Sequence, residues 1–185
     1  MSRRLDLRKL RLRAVWLLII PFYTYASPST ILLAWGAGLS TVGLALRAWA
    51  AGSIQKDREL ATTGPYAHTR NPLYLGSFFL GAGVMVAGGQ WAFGMAFLVF
   101  FVLVYRATVL REISELEARF GERYRVYRAR VPSVLPRITA YEGESSDSAP
   151  VTFSRTRYMR NREWEAILGA VAAFGLLALK RKLWL

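Results

Sequence analysis

Two long stretches without a charged residue dominate the hydrophobic pattern of the chain. Residues 14–46 and residues 71–105 contain no Asp, Glu, Lys or Arg. Since a bilayer core is crossed by about 20 apolar residues of helix, each stretch is too long for one crossing and fits two. The pattern therefore predicts two helical hairpins, with membrane spans over about residues 10–26, 29–50, 72–88 and 91–110.

Turn-favouring residues mark the point where each hairpin reverses. Ser27-Pro28-Ser29 interrupts the first stretch, and Gly88-Gly89-Gln90 interrupts the second. Neither turn carries a charge, which fits short loops on the outer side of the membrane. The segment from Arg47 to Arg70, and the chain beyond Arg106, are then expected on the cytoplasmic side.

Helical periodicity continues beyond the fourth span, because apolar residues recur at helical spacing as far as Phe120. One helix is expected from Trp91 to about Arg119, with a break at Gly121. Residues 122–131 favour a short basic amphipathic helix at the lipid headgroups.

The two tyrosines of that basic segment, Tyr124 and Tyr127, are expected to be interfacial anchors, because tyrosine is enriched where membrane meets water. Beyond the core of residues 1–140, residues 141–163 indicate a linker and a basic interfacial segment. The uncharged run in the last segment, 164–185, is short for a span. That segment is predicted to be a short transmembrane helix or an interfacial helix.

Charge and composition agree with a membrane location. The chain is 54% hydrophobic and carries a formal net charge of +13. Such a charge suits nucleic acid or an anionic membrane surface, but the cations lie at the edges of the apolar stretches, which favours the membrane. Basic residues within 1–13 favour a cytoplasmic N-terminus; a signal peptide cleaved near Ala26 is the alternative. The absence of cysteine excludes thiolate metal sites, and no metal site is predicted.

The most specific pattern lies between the two hairpins and on the helix that follows. Gly64-Pro65-Tyr66 precedes Arg70-Asn71-Pro72-Leu73-Tyr74, and after one apolar helix come Glu112, Phe120-Gly121 and a pair of tyrosines. In this order and spacing the residues resemble the isoprenylcysteine carboxyl methyltransferase family and its phospholipid methyltransferase relatives. The resemblance covers roughly residues 45–135. This sequence departs from the family pattern at Asn71, where the family has histidine, and at Ile113, where it has a second glutamate.

The resemblance implies an all-α, polytopic membrane helical bundle with four to five transmembrane helices and a cofactor pocket on the cytoplasmic side, in the inner membrane if the source is bacterial. It implies S-adenosylmethionine-dependent methyl transfer to a lipophilic acceptor, either an isoprenylcysteine carboxylate-like compound or a lipid. The expected partners are that substrate and membrane lipids, without nucleic acid. The oligomeric state is left open.

The same resemblance implies the site residues. The cofactor-binding set is Arg58, Glu59, Leu60, Ala61, Tyr66, Asn71, Pro72, Leu73, Tyr74 and Glu112. Methyl transfer requires donor and acceptor to be held together away from water, and a glutamate offers a carboxylate to the cationic sulfonium. Family members place an arginine about one turn before the glutamate to engage the acceptor, and Thr108 occupies that position here. The candidate catalytic residues are Arg70, at the mouth of the third span, and Arg111, beside Glu112. A desolvated arginine would orient a carboxylate acceptor.

Two other functions remain open at this point. Membrane NAD(P)H-dependent sterol-reductase-like enzymes share a similar Arg-His-Pro-x-Tyr loop. A catalytically inactive membrane scaffold of the same fold is consistent with the substitutions at residues 71 and 113. The helix that carries Glu112, followed by Phe120-Gly121, favours the methyltransferase.

Overall fold

A computed structural model of the protein describes residues 18–54, 59–143 and 153–184. These parts of the chain are helical and contain no strand, which confirms the all-α prediction for them. The helices are α1, whose described part is 18–25, α2 (Thr30–Ser53), α3 (Pro72–Gly88), α4 (Trp91–Arg130), α5 (Arg155–Arg160) and α6 (Trp164–Trp184). A 3₁₀ turn, Gly64–Ala67, lies in the described part of the connection between α2 and α3.

The two predicted turns lie side by side at one end of the bundle. The amide of Ser27 donates a hydrogen bond to the carbonyl oxygen of Gly88 over 2.9 Å. Gly89 ends α3 in the left-handed conformation (φ 71°), and a Cβ there would lie 2.7 Å from the Ser27 carbonyl oxygen. Glycine has no Cβ that would clash in this conformation. The turns of the first and second hairpins can therefore lie in direct contact.

Helices α2 and α3 pack closely because the residues between them are small. A Cβ on Gly43 would come within 2.6 Å of the Gly76 carbonyl oxygen, and Ser40 Oγ donates to the Leu80 carbonyl oxygen over 3.0 Å. Small side chains allow such backbone contact between helices in lipid. The α2–α3 pair is therefore a firm support for the loop that joins its two helices.

Gly121 breaks α4, as the sequence predicts. Its φ of 54° and ψ of −129° are not helical, although the helix resumes and continues to Arg130. The tyrosines beyond the break are buried: Tyr124 is 2% exposed and Tyr127 is 3% exposed. The prediction that they are interfacial anchors is wrong, because the helix after the break packs them against Leu60 and Val131.

Helix α6 runs along the bundle from the end of α2 to the end of α1. In the turn just before α6, Asn161 Nδ2 donates to the Ala51 carbonyl oxygen over 2.8 Å. At the other end, Lys180 Nζ donates to the carbonyl oxygens of Tyr23 and Thr24 over 2.8 and 2.6 Å. Leu177 of α6 is fully buried in the core. The C-terminal helix is thus an integral member of the bundle.

Two helices, Thr30–Ser53 and Trp91–Arg130, are long and apolar enough to cross a membrane, and Pro72–Gly88 is a shorter apolar helix. In the most apolar 18-residue stretch of Thr30–Ser53 only 17% of the residues are buried within the chain, and in that of Trp91–Arg130 only 6% are. Water-soluble proteins rarely leave apolar surface of this extent uncovered. Exposed apolar helices of this length are typical of membrane proteins.

Candidate functional site

A cavity of about 290 Å³ lies at the end of the bundle where α2 ends, α3 begins and α4 passes alongside. It is opposite the end at which the two hairpins turn. Seven of the predicted cofactor-binding or catalytic residues line it: Glu59, Leu60, Ala61, Tyr66, Arg70, Asn71 and Glu112. The structure therefore brings two separate sequence motifs to one cavity.

The remaining predicted residues are not part of the described lining of the cavity. Pro72 and Leu73 form the first turn of α3, while Arg58 lies outside the described residues. Arg111 is on an exposed face of α4, with its Nε 3.7 Å from Glu115 Oε1. Tyr74 is half-buried, and it is near enough to Glu112 for that carboxylate to act on it electrostatically. Tyr74 thus lies next to a carboxylate that lines the cavity.

The 3₁₀ turn places Tyr66. Gly64 adopts a φ of 60°, and Pro65 at the start of the turn fixes its direction. The side chain of Tyr66 is 6% exposed, and its hydroxyl has no hydrogen-bond partner among the described residues. Burial, and then the nearby Glu112 carboxylate, raise the pKa of Tyr66 well above its ordinary value. The hydroxyl therefore stays protonated and can donate to a ligand.

Arg70 is held at the cavity by two contacts. Its amide donates to the Pro132 carbonyl oxygen over 2.9 Å, and its Nη1 donates to the Tyr124 hydroxyl over 3.3 Å. Its Nε is buried without a hydrogen-bond partner in the described part of the chain. A buried donor left unsatisfied is costly, so this N–H is suited to an anionic ligand group.

Asn71 uses its amide group within the protein. Its Nδ2 donates to the carbonyl oxygen and the Oγ of Ser133, each over 3.0 Å, and to the Tyr105 hydroxyl over 3.2 Å. These bonds connect the start of α3 to the segment after α4. The substitution of histidine by asparagine therefore keeps a hydrogen-bonding side chain here, without a group that titrates near neutral pH.

One wall of the cavity is an apolar stripe on α4 that sequence reasoning did not assign to the site. Val109, Ile113, Leu116 and Phe120 line it, and the last three also pack against the Tyr124 and Tyr127 cluster. Their helical spacing is visible in the sequence, but the spacing does not show what the stripe faces. Ile113, one of the two departures from the family pattern, makes this wall apolar.

The cavity offers groups of both charges next to aromatic and apolar surface. Glu59, Glu112 and Glu115 supply carboxylates, and Arg70 and Arg119 supply guanidinium groups. Such a lining suits a ligand that carries both a cationic and an anionic group and a flat apolar ring. Among the residues that the structure describes, no group of three His, Cys, Asp or Glu side chains is placed to hold a metal ion.

The exposed apolar helices are typical of a membrane protein, and comparison with known proteins gives its family. The family model described as phospholipid methyltransferase matches residues 25–123. The protein belongs to this family of membrane methyltransferases. The resemblance found in the motifs is confirmed, since a curated isoprenylcysteine methyltransferase also matches.

Three curated relatives show how far the similarity extends. A cobalt-zinc-cadmium resistance protein of Cupriavidus metallidurans is 33% identical over 79% of this chain and 74% of its own length. A nickel-cobalt-cadmium resistance protein of Alcaligenes xylosoxydans xylosoxydans is 36% identical, over 60% of this chain and 51% of its own. The protein-S-isoprenylcysteine O-methyltransferase of Schizosaccharomyces pombe is 32% identical, over 45% of this chain and 35% of its own length. No solved structure matches the chain significantly.

Proposed function

We propose that the protein is an integral membrane methyltransferase that uses S-adenosylmethionine and acts on a lipophilic acceptor. The observation that carries this proposal is the single cavity shared by Tyr66, Arg70 and Asn71 on one side and Glu112 on the other. Membership of the methyltransferase family supports the reaction type. The donor and the acceptor are inferred from the chemistry of the lining.

The lining offers a complementary surface for each chemical group of the proposed methyl donor. When bound, S-adenosylmethionine supplies a methyl group on a cationic sulfonium. Glu112 provides a carboxylate that attracts this cation, and the buried Nε of Arg70 can donate to the anionic end of the amino acid portion. The apolar stripe on α4 offers a surface for the adenine ring. The volume of about 290 Å³ is at the lower end of the range for small-molecule pockets, which is about 300–1,000 Å³.

A row of aromatic rings between α3 and α4 supports a lipophilic acceptor. We call Tyr74, Phe78, Phe97, Phe101 and Tyr105 the aromatic seam. Its ring centroids are 5.2 Å apart for Phe78 and Phe101, 6.0 Å for Phe101 and Tyr105, and 5.5 Å for Tyr105 and Tyr74. Since the Tyr105 hydroxyl accepts a hydrogen bond from Asn71, which lines the cavity, the seam leads directly to the cavity.

The other end of the aromatic seam opens into an apolar groove of about 430 Å³ between α3 and α4. Phe78 and Phe97 line this groove, and Gly94 faces open space in it. Phe97 and Tyr105 are eight positions apart on one helix, or about 12 Å along its axis. We place the apolar tail of the acceptor along the seam, with its reactive head at the cavity.

The distribution of charge supports a cytoplasmic cavity. Exposed arginines crowd the end of the bundle that holds the cavity: Arg106, Arg111, Arg123, Arg128 and Arg130. Cations flanking membrane helices favour the cytoplasmic side. In this orientation the fifth crossing is α6, which runs the length of the bundle and carries Lys180 to the outer side.

The binding of S-adenosylhomocysteine to the detergent-purified protein, measured by calorimetry, tests the proposed donor. We expect one site per chain, with Glu112→Ala weakening binding at least tenfold. The matched control is Glu122→Ala on the same helix, because the Glu122 side chain is 77% exposed and outside the cavity. Binding of NADPH instead would favour the reductase, and binding of neither would favour a scaffold.

A further inference from the structure

Residues 153–163, which we call the C-terminal hook, contact the end of the bundle that holds the cavity. They lie outside the family-matched residues 25–123. Within the hook, the amide of Ser154 and the Nε of Arg157 both donate to the Gly52 carbonyl oxygen, over 3.0 and 2.7 Å. Together with the bond from Asn161 to the Ala51 carbonyl oxygen, these contacts cap the last turn of α2.

The hook also fixes the start of one cavity wall. The ring of Phe153 lies directly over Gly52, where any Cβ would clash with it. Only one residue separates Gly52 from Ile54, the first residue of the cavity lining. A displacement of the hook would therefore move Ile54, the residue at which this cavity wall begins.

Glu163, at the end of the hook, forms an ion pair with Arg47 of α2. Oε2 of Glu163 lies 2.7 Å from Nη2 and 2.9 Å from Nε of Arg47, and the side chains are 10% and 22% exposed. Arg47 also donates to Oγ of Ser77 on α3. Because a largely buried charge requires a partner, Glu163 holds Arg47 in place and links α2 and α3 to the hook.

The Glu163 carboxylate also adds to the electrostatic environment of Tyr66. Its contribution comes after those of burial and Glu112, and together they keep the Tyr66 hydroxyl protonated. That hydroxyl has no hydrogen-bond partner among the described residues. Two carboxylates, one from α4 and one from the hook, thus influence the same buried group.

We propose that Glu163 is a positioning residue of the methyl-transfer site, which the C-terminal hook completes by fixing Arg47 and the end of α2. This proposal depends on the proposed function only because it takes S-adenosylmethionine to be the ligand of the cavity. It assigns a part in the site to a segment beyond the region that the family model matches.

Two variants separate positioning from simple stabilisation. Glu163→Gln leaves Arg47 buried without its carboxylate and should lower the melting temperature. The double variant Arg47→Gln/Glu163→Gln removes both charges and should recover much of the stability. If Glu163 positions the site, S-adenosylhomocysteine binds about fivefold more weakly to both variants, a typical size for coupling between neighbouring residues. If the double variant recovers wild-type affinity as well as stability, the proposal is overturned.

The coupling to Arg47 is tested in an Arg47→Gln background. There, Glu163→Gln should weaken binding by less than about twofold further, because the guanidinium through which it acts is already missing. The matched control is Glu165→Gln, two residues along, whose side chain is 49% exposed and pairs with Arg162. This control should leave affinity and melting temperature unchanged, and Glu163→Asp should restore part of the affinity lost in Glu163→Gln.

Hydrogen exchange in the absence of ligand provides a readout that does not depend on the donor. Glu163→Gln and the double variant should both speed amide exchange in residues 59–68, whereas Glu165→Gln should not. Unchanged exchange there in both variants would overturn the positioning role. If the wild-type protein does not bind S-adenosylhomocysteine, the proposed function fails, and the exchange experiment still decides the part played by Glu163.

Discussion

The hydroxyl of Tyr127 donates a hydrogen bond to the backbone carbonyl oxygen of Tyr66 over 2.7 Å. This bond fixes the last turns of α4 to the 3₁₀ turn that carries the buried Tyr66 side chain. Both residues line the cavity. The two conspicuous motifs of the sequence are therefore joined by a direct contact, and the geometry of the cavity depends on it.

Removing this contact should affect both stability and binding. Tyr127→Phe leaves a buried carbonyl oxygen unpaired, which costs about 1–3 kcal/mol. We expect a lower melting temperature and weaker binding of S-adenosylhomocysteine. Tyr141→Phe is the control, because the Tyr141 ring also packs against Tyr127 but its hydroxyl has no hydrogen bond in the described part of the chain. Equal melting temperatures for the two variants would contradict this role of Tyr127.

The raised pKa of Tyr66 predicts that stability decreases at high pH. In the unfolded chain a tyrosine ionises near its ordinary pKa of 10.0, but burial keeps Tyr66 protonated in the folded state above that pH. The unfolded state therefore loses a proton first, and unfolding becomes more favourable as the pH rises above about 10. Melting temperatures of the wild type and Tyr66→Phe between pH 8 and pH 11 measure this effect. The decrease should be smaller for Tyr66→Phe, and identical slopes would argue against a buried, protonated Tyr66.

Filling the groove should impair use of the acceptor without affecting the donor. A Cβ on Gly94 would meet no atom within 4 Å, so Gly94→Leu can extend into the groove without a clash. We expect a fall of about tenfold or more in the transfer of labelled methyl groups to lipids of a total membrane extract, in line with the loss of a buried apolar contact. Binding of S-adenosylhomocysteine should not change.

The control for the groove is Gly38→Leu. Gly38 also has open space around it, but it lies on α2 and does not line the groove. Equal transfer by the two leucine variants would show that the groove does not hold the acceptor.

Topology can be tested with single cysteines, because the chain has none of its own. We expect Lys182→Cys to react with a membrane-impermeant maleimide added outside intact cells, because α6 ends beside the outer turn. Arg130→Cys, at the end of α4 and on the cavity side, should react only after the cells are opened. Labelling of both positions from the same side would rule out α6 as a fifth crossing.

The parts of the structure that the sequence predicts are those governed by local chemistry. The turn at Gly88-Gly89-Gln90 and the break at Gly121 follow from the conformational freedom of glycine. The burial of Tyr124 does not follow from periodicity, because it depends on where the helix packs after the break. The packing of the C-terminal hook against α2 could not be predicted from the sequence either, because the bond between Asn161 and Ala51 joins residues 110 positions apart.

The site was predictable only in part for the same reason. The motifs identify Tyr66 and Glu112 individually, and helical spacing identifies the stripe that includes Ile113. Neither signal shows that Glu163 reaches Arg47 from a segment beyond the family-matched region. Long-range ion pairs of this kind leave no periodic pattern in a single sequence.

The location of the donor is the central claim, and photochemical crosslinking tests it most directly. Radiolabelled S-adenosylmethionine should be bound to the purified protein, irradiated with ultraviolet light, and the labelled peptides identified by mass spectrometry. The account predicts label within residues 59–74 and 109–127, suppressed by excess unlabelled S-adenosylhomocysteine. Suppressible label confined to other peptides would place the donor elsewhere and contradict the shared cavity.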